Sequence, residues 1–475
     1  MKNALLIFAF LSFYLSSVHA SVEIRSNKLT TGDGLANNSI RYMFQDSKGF
    51  MWMGTVNGLS YYDGNSFVSI YPDPNLPISL ADPRIRNMEE DSNGFLWIAT
   101  LSSLYSCYDL KHGRFVDFTG CGEYKQSYSK KIIASDQSIW LWDNNNGCRR
   151  VVYQDGQFSS QAYKKELGNL SSDEVLFVYE SNDSPGHVWI GTKQGLWKYH
   201  DGKLEAMDTQ GESWEHIFSY DQYTCIITGK KEIYRHSLSN NRLEKIASLT
   251  ELGDTGVITG SLRLQHQWVM FTATGSYILD PVTGKLRRFS RLNIKNGNVT
   301  RDNKGNAWVH NYTGNVWYVN TSTGDIKHFQ FLSSEHLGYI DVERYSIIHD
   351  SRDIIWITTY GNGLFAYDLN TGDLQHFTFE VSHSSHINSN YLQYIIEDRS
   401  GGIWVSSEFS GLSHLEILNK GTLRIYPNGE DASDRSNTIR MLLRGKNGNV
   451  YMANRMGTLY EYDADLKNIL RREKF

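Results

Sequence analysis

Proline is scarce, at 7 in 475 residues, and cysteine scarcer, at 4. The first shortage excludes a proline-rich linker or collagen-like chain. The second excludes a disulfide-dense scaffold, since four cysteines cannot staple a chain of this length. Cys107, Cys121 and Cys148 lie close enough in sequence for one disulfide among them, with buried thiols as the alternative, and their spacing has no metal-knuckle form. Charge of one sign is missing too: 47 basic against 52 acidic residues leave a net charge of −5, with no basic run. An electrostatic footprint for nucleic acid is therefore absent. Beyond the N-terminus no segment reaches the roughly 18 apolar residues that a membrane helix needs.

Catalytic motifs are equally sparse. There is no G-x-S-x-G, no phosphate-binding loop and no nucleophile–base spacing. No catalytic residue, cofactor site or metal site is expected. Glu89-Glu90-Asp91 lies on a strand and its turn, where alternating directions separate adjacent carboxylates. His383-Ser384-Ser385-His386 offers two imidazoles without a further ligand at metal-binding spacing.

What the chain does have is aromatics (13%, with 12 Trp and 29 Tyr) and 40 Gly, a composition suited to short strands and tight turns. Its first twenty residues read as an export signal: Lys2, the apolar run Ala4 to Tyr14, then small residues ending in Val18-His19-Ala20. Residues 1–20 are expected to be removed after Ala20, leaving a periplasmic chain without a membrane segment and without a cysteine for lipid attachment.

The main signal is an internal repeat. Ile40-Arg41 through Asp46-Ser47-Lys48-Gly49 to Trp52-Met53-Gly54-Thr55 returns as Ile85-Arg86 through Asp91-Ser92-Asn93-Gly94 to Trp97-Ile98-Ala99-Thr100. Further copies centre on Trp308 and Trp404, weaker ones on Trp140, Trp189, Trp268, Trp356 and Tyr451, and a degenerate one lies near Cys225. The spacing is 45 residues from Trp52 to Trp97, 43 to Trp140 and 49 to Trp189. A period in the forties with four strand-like stretches per unit, and no 3.6-residue apolar periodicity, predicts the blades of an all-β propeller. Each Asp-x-x-Gly is a hairpin turn, and each Trp packs between neighbouring sheets, so Trp52, Trp97, Trp308, Trp356 and Trp404 are read as structural.

Ten units exceed the usual four to eight of one ring. The expectation is a complete seven-bladed ring over residues 21–324 followed by about three blades of a second, incomplete ring over 325–475. The segment Val22 to Lys28 would close the first ring by pairing with the unit around Trp308.

The stretch from Ser39 to Asp63, and its copy Ile355-Trp356-Ile357-Thr358-Thr359-Tyr360-Gly361-Asn362-Gly363-Leu364, resemble the two-component-regulator propeller repeat. The resemblance covers about residues 22 to 470 and is weakest around Cys225. It implies the periplasmic sensor region of a hybrid two-component system, in which two seven-bladed propellers and a β-sandwich precede a membrane helix, kinase, receiver and DNA-binding module. Many such sensors detect oligosaccharides released from complex glycans. The present sequence has no β-sandwich, membrane helix or kinase, so it resembles the N-terminal part only. The resemblance implies an oligosaccharide ligand, a homodimer in the full-length context and no enzyme activity.

Positions that recur in every unit build blades, whereas those that break the template are free for function. Arg41, Arg86 and Arg440 share one place early in the inner strand, from which guanidinium forks could meet an acidic sugar or pair with a neighbouring blade's acid. Trp142 beside Asn144, Asn145 and Asn146 could form a sugar platform or could simply pack. Tyr360 and Asn362 lie on the corresponding turn of the eighth unit. Against the sensor reading stand a secreted propeller lyase or glycoside hydrolase, which needs converging carboxylates, His or Tyr, and a protein-interaction scaffold, which needs an extended apolar or charged face.

Overall fold

The computed structural model describes residues 22–119, 128–181, 184–208, 213–229, 232–254, 257–302, 304–311, 315–330, 346–380, 386–418, 425, 427–428, 434–464, 466 and 468–475. The expected export signal, Cys121 and His383 lie outside them. Among the described residues the chain is all-β, in ten four-stranded antiparallel sheets with only short 3-10 turns between them.

The first sheet shows how sequence makes a blade. Its strands are Ile40–Gln45, Met51–Thr55, Leu59–Tyr62 and Phe67–Ile70, paired in sequence order. The second strand is buried throughout, as a strand sandwiched between two neighbouring sheets must be. Asp46 organises the first turn. Its Oδ1 accepts the backbone N–H groups of Lys48 and Phe50, both at 2.9 Å, and its Oδ2 accepts the Trp52 indole N–H at 2.8 Å. Gly49, at φ 94°, supplies the left-handed residue that closes the turn. The same Asp–Trp bond recurs as Asp91–Trp97 (2.8 Å), Asp350–Trp356 (2.9 Å) and Asp398–Trp404 (2.7 Å). One carboxylate thus holds both the hairpin and the ring six residues on, which explains the recurring spacing. Ala134 stands where the third sheet would need the aspartate, and its Trp140 packs fully buried with no acceptor for the indole.

Neighbouring sheets interlock twice. Apolar cores form at their junctions: Trp97, Phe95 and Cys107 pack with Ile139, Leu141 and Val151, and Trp308 and Val316 pack with Ile347, Ile355 and Ile357. A polar clasp joins the rims. At three junctions Ser47, Ser135 and Ser351 each give a backbone N–H and a hydroxyl to a glutamate at or one residue before the end of the next inner strand, Glu90, Glu180 and Glu397.

Closure differs from expectation. The N-terminal strand Glu23–Leu29 pairs with Leu412–Leu418 in the ninth sheet, around Trp404, and not with the sheet around Trp308. The reason is vacancy. The Trp308 sheet already fills its outer position with Ile326–Gln330, whereas the stretch Leu392 to Leu418 supplies only three strands. Ile24 then joins the core made by Trp356, Ile387 and Leu415. The ninth sheet in turn packs on the first, Trp404 and Leu412 against Ile40, Met43 and Met53, and the Arg399 N–H repeats the clasp on Gln45 Oε1 at 2.8 Å. Closure therefore follows nine sheets, and the expected division at 324/325 falls inside a continuous set of packed sheets.

Residues Met1–Ile417 form one compact unit and Leu418–Phe475 another. The second holds the tenth sheet, Ile439–Arg444, Val450–Asn454, Thr458–Tyr462 and Ile469–Lys474, with its own small core of Val450, Met452, Tyr460 and Tyr462.

Cys107, Cys148 and Cys225 are buried, and no disulfide links Cys107 to Cys148. Burial pushes the Cys107 and Cys148 thiols well above their usual range. Cys225 stands at the buried position of the degenerate fifth sheet, in one cluster with Trp189 and Trp214.

Candidate functional site

Several inner strands share a deviation invisible in composition. Register slips by one residue between Ile40 and Tyr42, Ile85 and Asn87, Val175 and Phe177, Trp214 and His216, and Ile439 and Met441. Arg41, Arg86, Leu176, Glu215 and Arg440 are therefore the bulged residues. A bulge re-aims its side chain and sharpens the local twist, and bulges favour barrel rims and sites. The arginine position noted in the sequence is thus a backbone feature first and a side-chain choice second.

What each arginine does depends on its neighbours. Arg41 Nη2 lies 3.1 Å from Glu408 Oε1, with the two side chains 35% and 11% exposed. Glu408 follows the second strand of the ninth sheet, so the pair bridges the closure, and Gln393 from the same sheet donates its amide to the other carboxylate oxygen. Arg86 is exposed and has no ion pair among the described residues. Arg440 lies exposed in the second unit.

Around Arg41 and Glu408 the rim turns aromatic. Tyr360 and Tyr391 bridge the eighth and ninth sheets, rings 5.3 Å apart and nearly perpendicular. The Glu408 N–H donates to the Tyr391 carbonyl at 3.0 Å, and Phe409, next in the turn, is 70% exposed. Tyr391 itself is 41% exposed. Two accessible aromatic faces, a guanidinium, a carboxylate and a carboxamide thus gather on one rim within unit 1. Below them Tyr42 and Tyr394 pack at 4.7 Å, and burial pushes both phenols above their usual range, so they stay neutral hydrogen-bonding groups.

From sequence, Trp142 reads either as a sugar platform or as packing. Trp142 is 5% exposed and belongs to the core between the third and fourth sheets, because it ends the fully buried second strand Ile139–Trp142. Its asparagine run is a turn held by Asp143, whose carboxylate accepts from the Asn145 and Asn146 backbones and the Asn146 amide. Asn144 is left exposed at the tip. Tyr360 is part of the rim, whereas Asn362 is engaged in its turn, giving its N–H to Thr359 Oγ1 and accepting His376 Nε2 on its carbonyl. Trp52, Trp97, Trp308, Trp356 and Trp404 are all buried. Glu408, Phe409 and Tyr391 escaped the sequence reading. A Glu-Phe pair in a turn where the first unit has Val56-Asn57 was the available signal.

Comparison with known proteins bears on the repeat. The extracellular domain BT3049 of B. thetaiotaomicron, assigned to a hybrid two component system, is 16% identical with a TM-score of 0.37, covering 94% of this chain and 66% of its own. A second such domain from that organism, BT4673, is 16% identical with a TM-score of 0.39, covering 96% and 60%. PorZ, a surface component of the type-IX secretion system of Porphyromonas gingivalis, is 9% identical with a TM-score of 0.34, covering 94% and 82%. The chain thus spans less than two thirds of the first two. No curated protein matches the sequence. The model of the two-component regulator propeller family matches residues 34–57 and 79–102, the turn and buried strand of the first two sheets with the segments leading into them. Those two segments are two-component regulator propeller repeats.

Proposed function

We propose that this chain is the periplasmic ligand-sensing region of a two-component signal-transduction sensor and that its ligand is an oligosaccharide. The observation that carries the reading is the pair of regulator propeller repeats at 34–57 and 79–102. The rim of Arg41, Glu408, Gln393, Tyr391 and Phe409 supports it, since flat aromatic faces stack on pyranose rings while amide, carboxylate and guanidinium groups bond their hydroxyls. On this reading the chain binds its ligand without turning it over, acts after export through residues 1–20, and works as a homodimer within a longer signalling protein.

The test is a thermal-shift screen of glycan fragments against the chain from residue 21. A ligand that binds only the folded state raises the melting temperature by mass action. The shift should vanish in Phe409→Ala, whose own melting temperature should match the parent because that ring is exposed. Release of new reducing ends from a polysaccharide would replace the sensor reading with an enzyme. A screen in which no fragment shifts the melting temperature would count against the saccharide.

A further inference from the structure

One junction without that clasp carries positive charge in its place. Between the sixth and seventh sheets the place of the serine turn is taken by Gln265-His266, and Arg301 stands at the position that Glu90 and Glu397 hold in the second and ninth sheets. The equivalence follows from register. Arg301 pairs with Ala307 as Glu90 pairs with Leu96 and Glu397 with Ile403, each immediately before the turn aspartate. Gln265 holds the sheets instead, through its N–H to the Thr321 carbonyl at 2.7 Å and its amide to the Thr323 carbonyl at 3.2 Å.

The substitution leaves a cavity of about 610 Å3, lined by Arg263, Gln265, His266, Arg301, Thr321 and Ser322. That volume lies in the range of small-molecule sites. Two guanidiniums and an imidazole face it, and no carboxylate is among the lining residues. Arg263 is fixed by bonds to the Tyr220 carbonyl at 2.9 Å and the Gln265 carbonyl at 3.1 Å, and it lies over the Tyr220 ring. Arg301 is exposed and has no ion pair among the described residues. The neighbouring Asp302 does not neutralise it, for its Oδ1 accepts the Lys304 and Asn306 N–H groups of its own turn and its Oδ2 lies 3.6 Å from His349. Where the second and ninth sheets have an acid and a closed clasp, this junction has unpaired positive charge and an open groove.

We infer that this groove binds an oxyanion of the sulfate or phosphate class carried on a hydroxylated ligand. A guanidinium matches a tetrahedral oxyanion through two parallel N–H bonds, which the Arg301 fork can give, while Arg263 keeps its Nη2 for the anion, and Thr321, Ser322 and Gln265 provide partners for hydroxyls. The site is separate from the aromatic rim and does not rest on that assignment.

Isothermal titration of the chain from residue 21 with sodium sulfate, with sodium chloride at matched ionic strength, and with a sulfated disaccharide and its unsulfated counterpart tests it. Sulfate should bind where chloride does not, and the sulfated disaccharide more tightly than either sulfate or its unsulfated counterpart. Tighter binding of inorganic sulfate than of the disaccharide would point to a free ion and overturn the carrier. Arg301→Gln should weaken sulfate affinity about tenfold or more, the loss of one charged hydrogen-bonding partner. Arg301→Glu, which places there the acid of the second and ninth sheets, should abolish binding. Both variants should keep the parent melting temperature, because Arg301 is exposed. Equal heats from sulfate and chloride, or unchanged affinity in Arg301→Gln, would overturn the inference.

Discussion

Replacing Asp398 by alanine removes one carboxylate that serves several donors. Its Oδ1 accepts the N–H groups of Ser400 at 2.8 Å and Gly402 at 2.9 Å and the Ser400 hydroxyl at 2.6 Å, while its Oδ2 accepts the Trp404 indole at 2.7 Å. Two of these donors, the Gly402 N–H and the indole, are buried and cannot turn to water. A hydrogen bond to a charged group contributes about 1.5–3 kcal/mol, and an orphaned buried donor costs a comparable amount. Allowing for non-additivity, Asp398→Ala should destabilise unit 1 by about 3–5 kcal/mol. Asp398→Asn keeps one oxygen acceptor but points an amide N–H at a donor, so it should lose roughly half as much. The third sheet is the internal control: its Trp140 already lacks an acceptor, so Trp140→Phe breaks no indole hydrogen bond, whereas Trp404→Phe breaks the bond to Asp398. Urea denaturation followed by tryptophan fluorescence reads all four variants. A loss below about 1 kcal/mol for Asp398→Ala, or equal losses for alanine and asparagine, would refute the idea that the carboxylate holds turn and ring together.

Three further outcomes follow from the same geometry. Arg25 and Glu416 form an ion pair across the closing strands, N···O 3.6 Å, so Arg25→Cys with Glu416→Cys should be joined within one chain by a short bis-maleimide, and failure to cross-link would count against closure on the ninth sheet. For Asp398, burial raises the carboxyl pKa but the bonds from His414, Ser400, Trp404 and Gly402 outweigh it, holding the group below the usual carboxylate range; its stabilisation is present above the unfolded value near 4 and is lost as pH falls through the folded one. For Asp91 burial wins over Trp97, Phe95 and Asn93, so the pKa is raised and that group's contribution is lost as pH rises from the unfolded value through the folded one; Asp91→Asn should therefore cost less at neutral pH than Asp398→Asn, and a larger loss for Asp91→Asn would contradict the assignment.

Most of the blade was legible because it is local. Asp46, Gly49 and Trp52 lie within seven residues, and the hairpin that joins them needs nothing from elsewhere. The rim was not legible, because Arg41 meets Glu408 across 367 positions of sequence. The choice between the two readings of Trp142 was not legible for a related reason. Beside three asparagines it reads as exposed, yet its strand is buried between two sheets whose approach the local pattern does not encode.

The sequence by itself determined the repeat, the four-stranded unit, the hairpin turns and the tryptophans that fill the space between sheets, since each follows from short-range hydrogen bonding and apolar alternation. Only the tertiary structure decided where the series of sheets closes. That choice depended on which sheet lacked an outer strand, a property of the whole set of backbone pairings, and the edge of Leu412–Leu418 was left open for Glu23–Leu29 to satisfy.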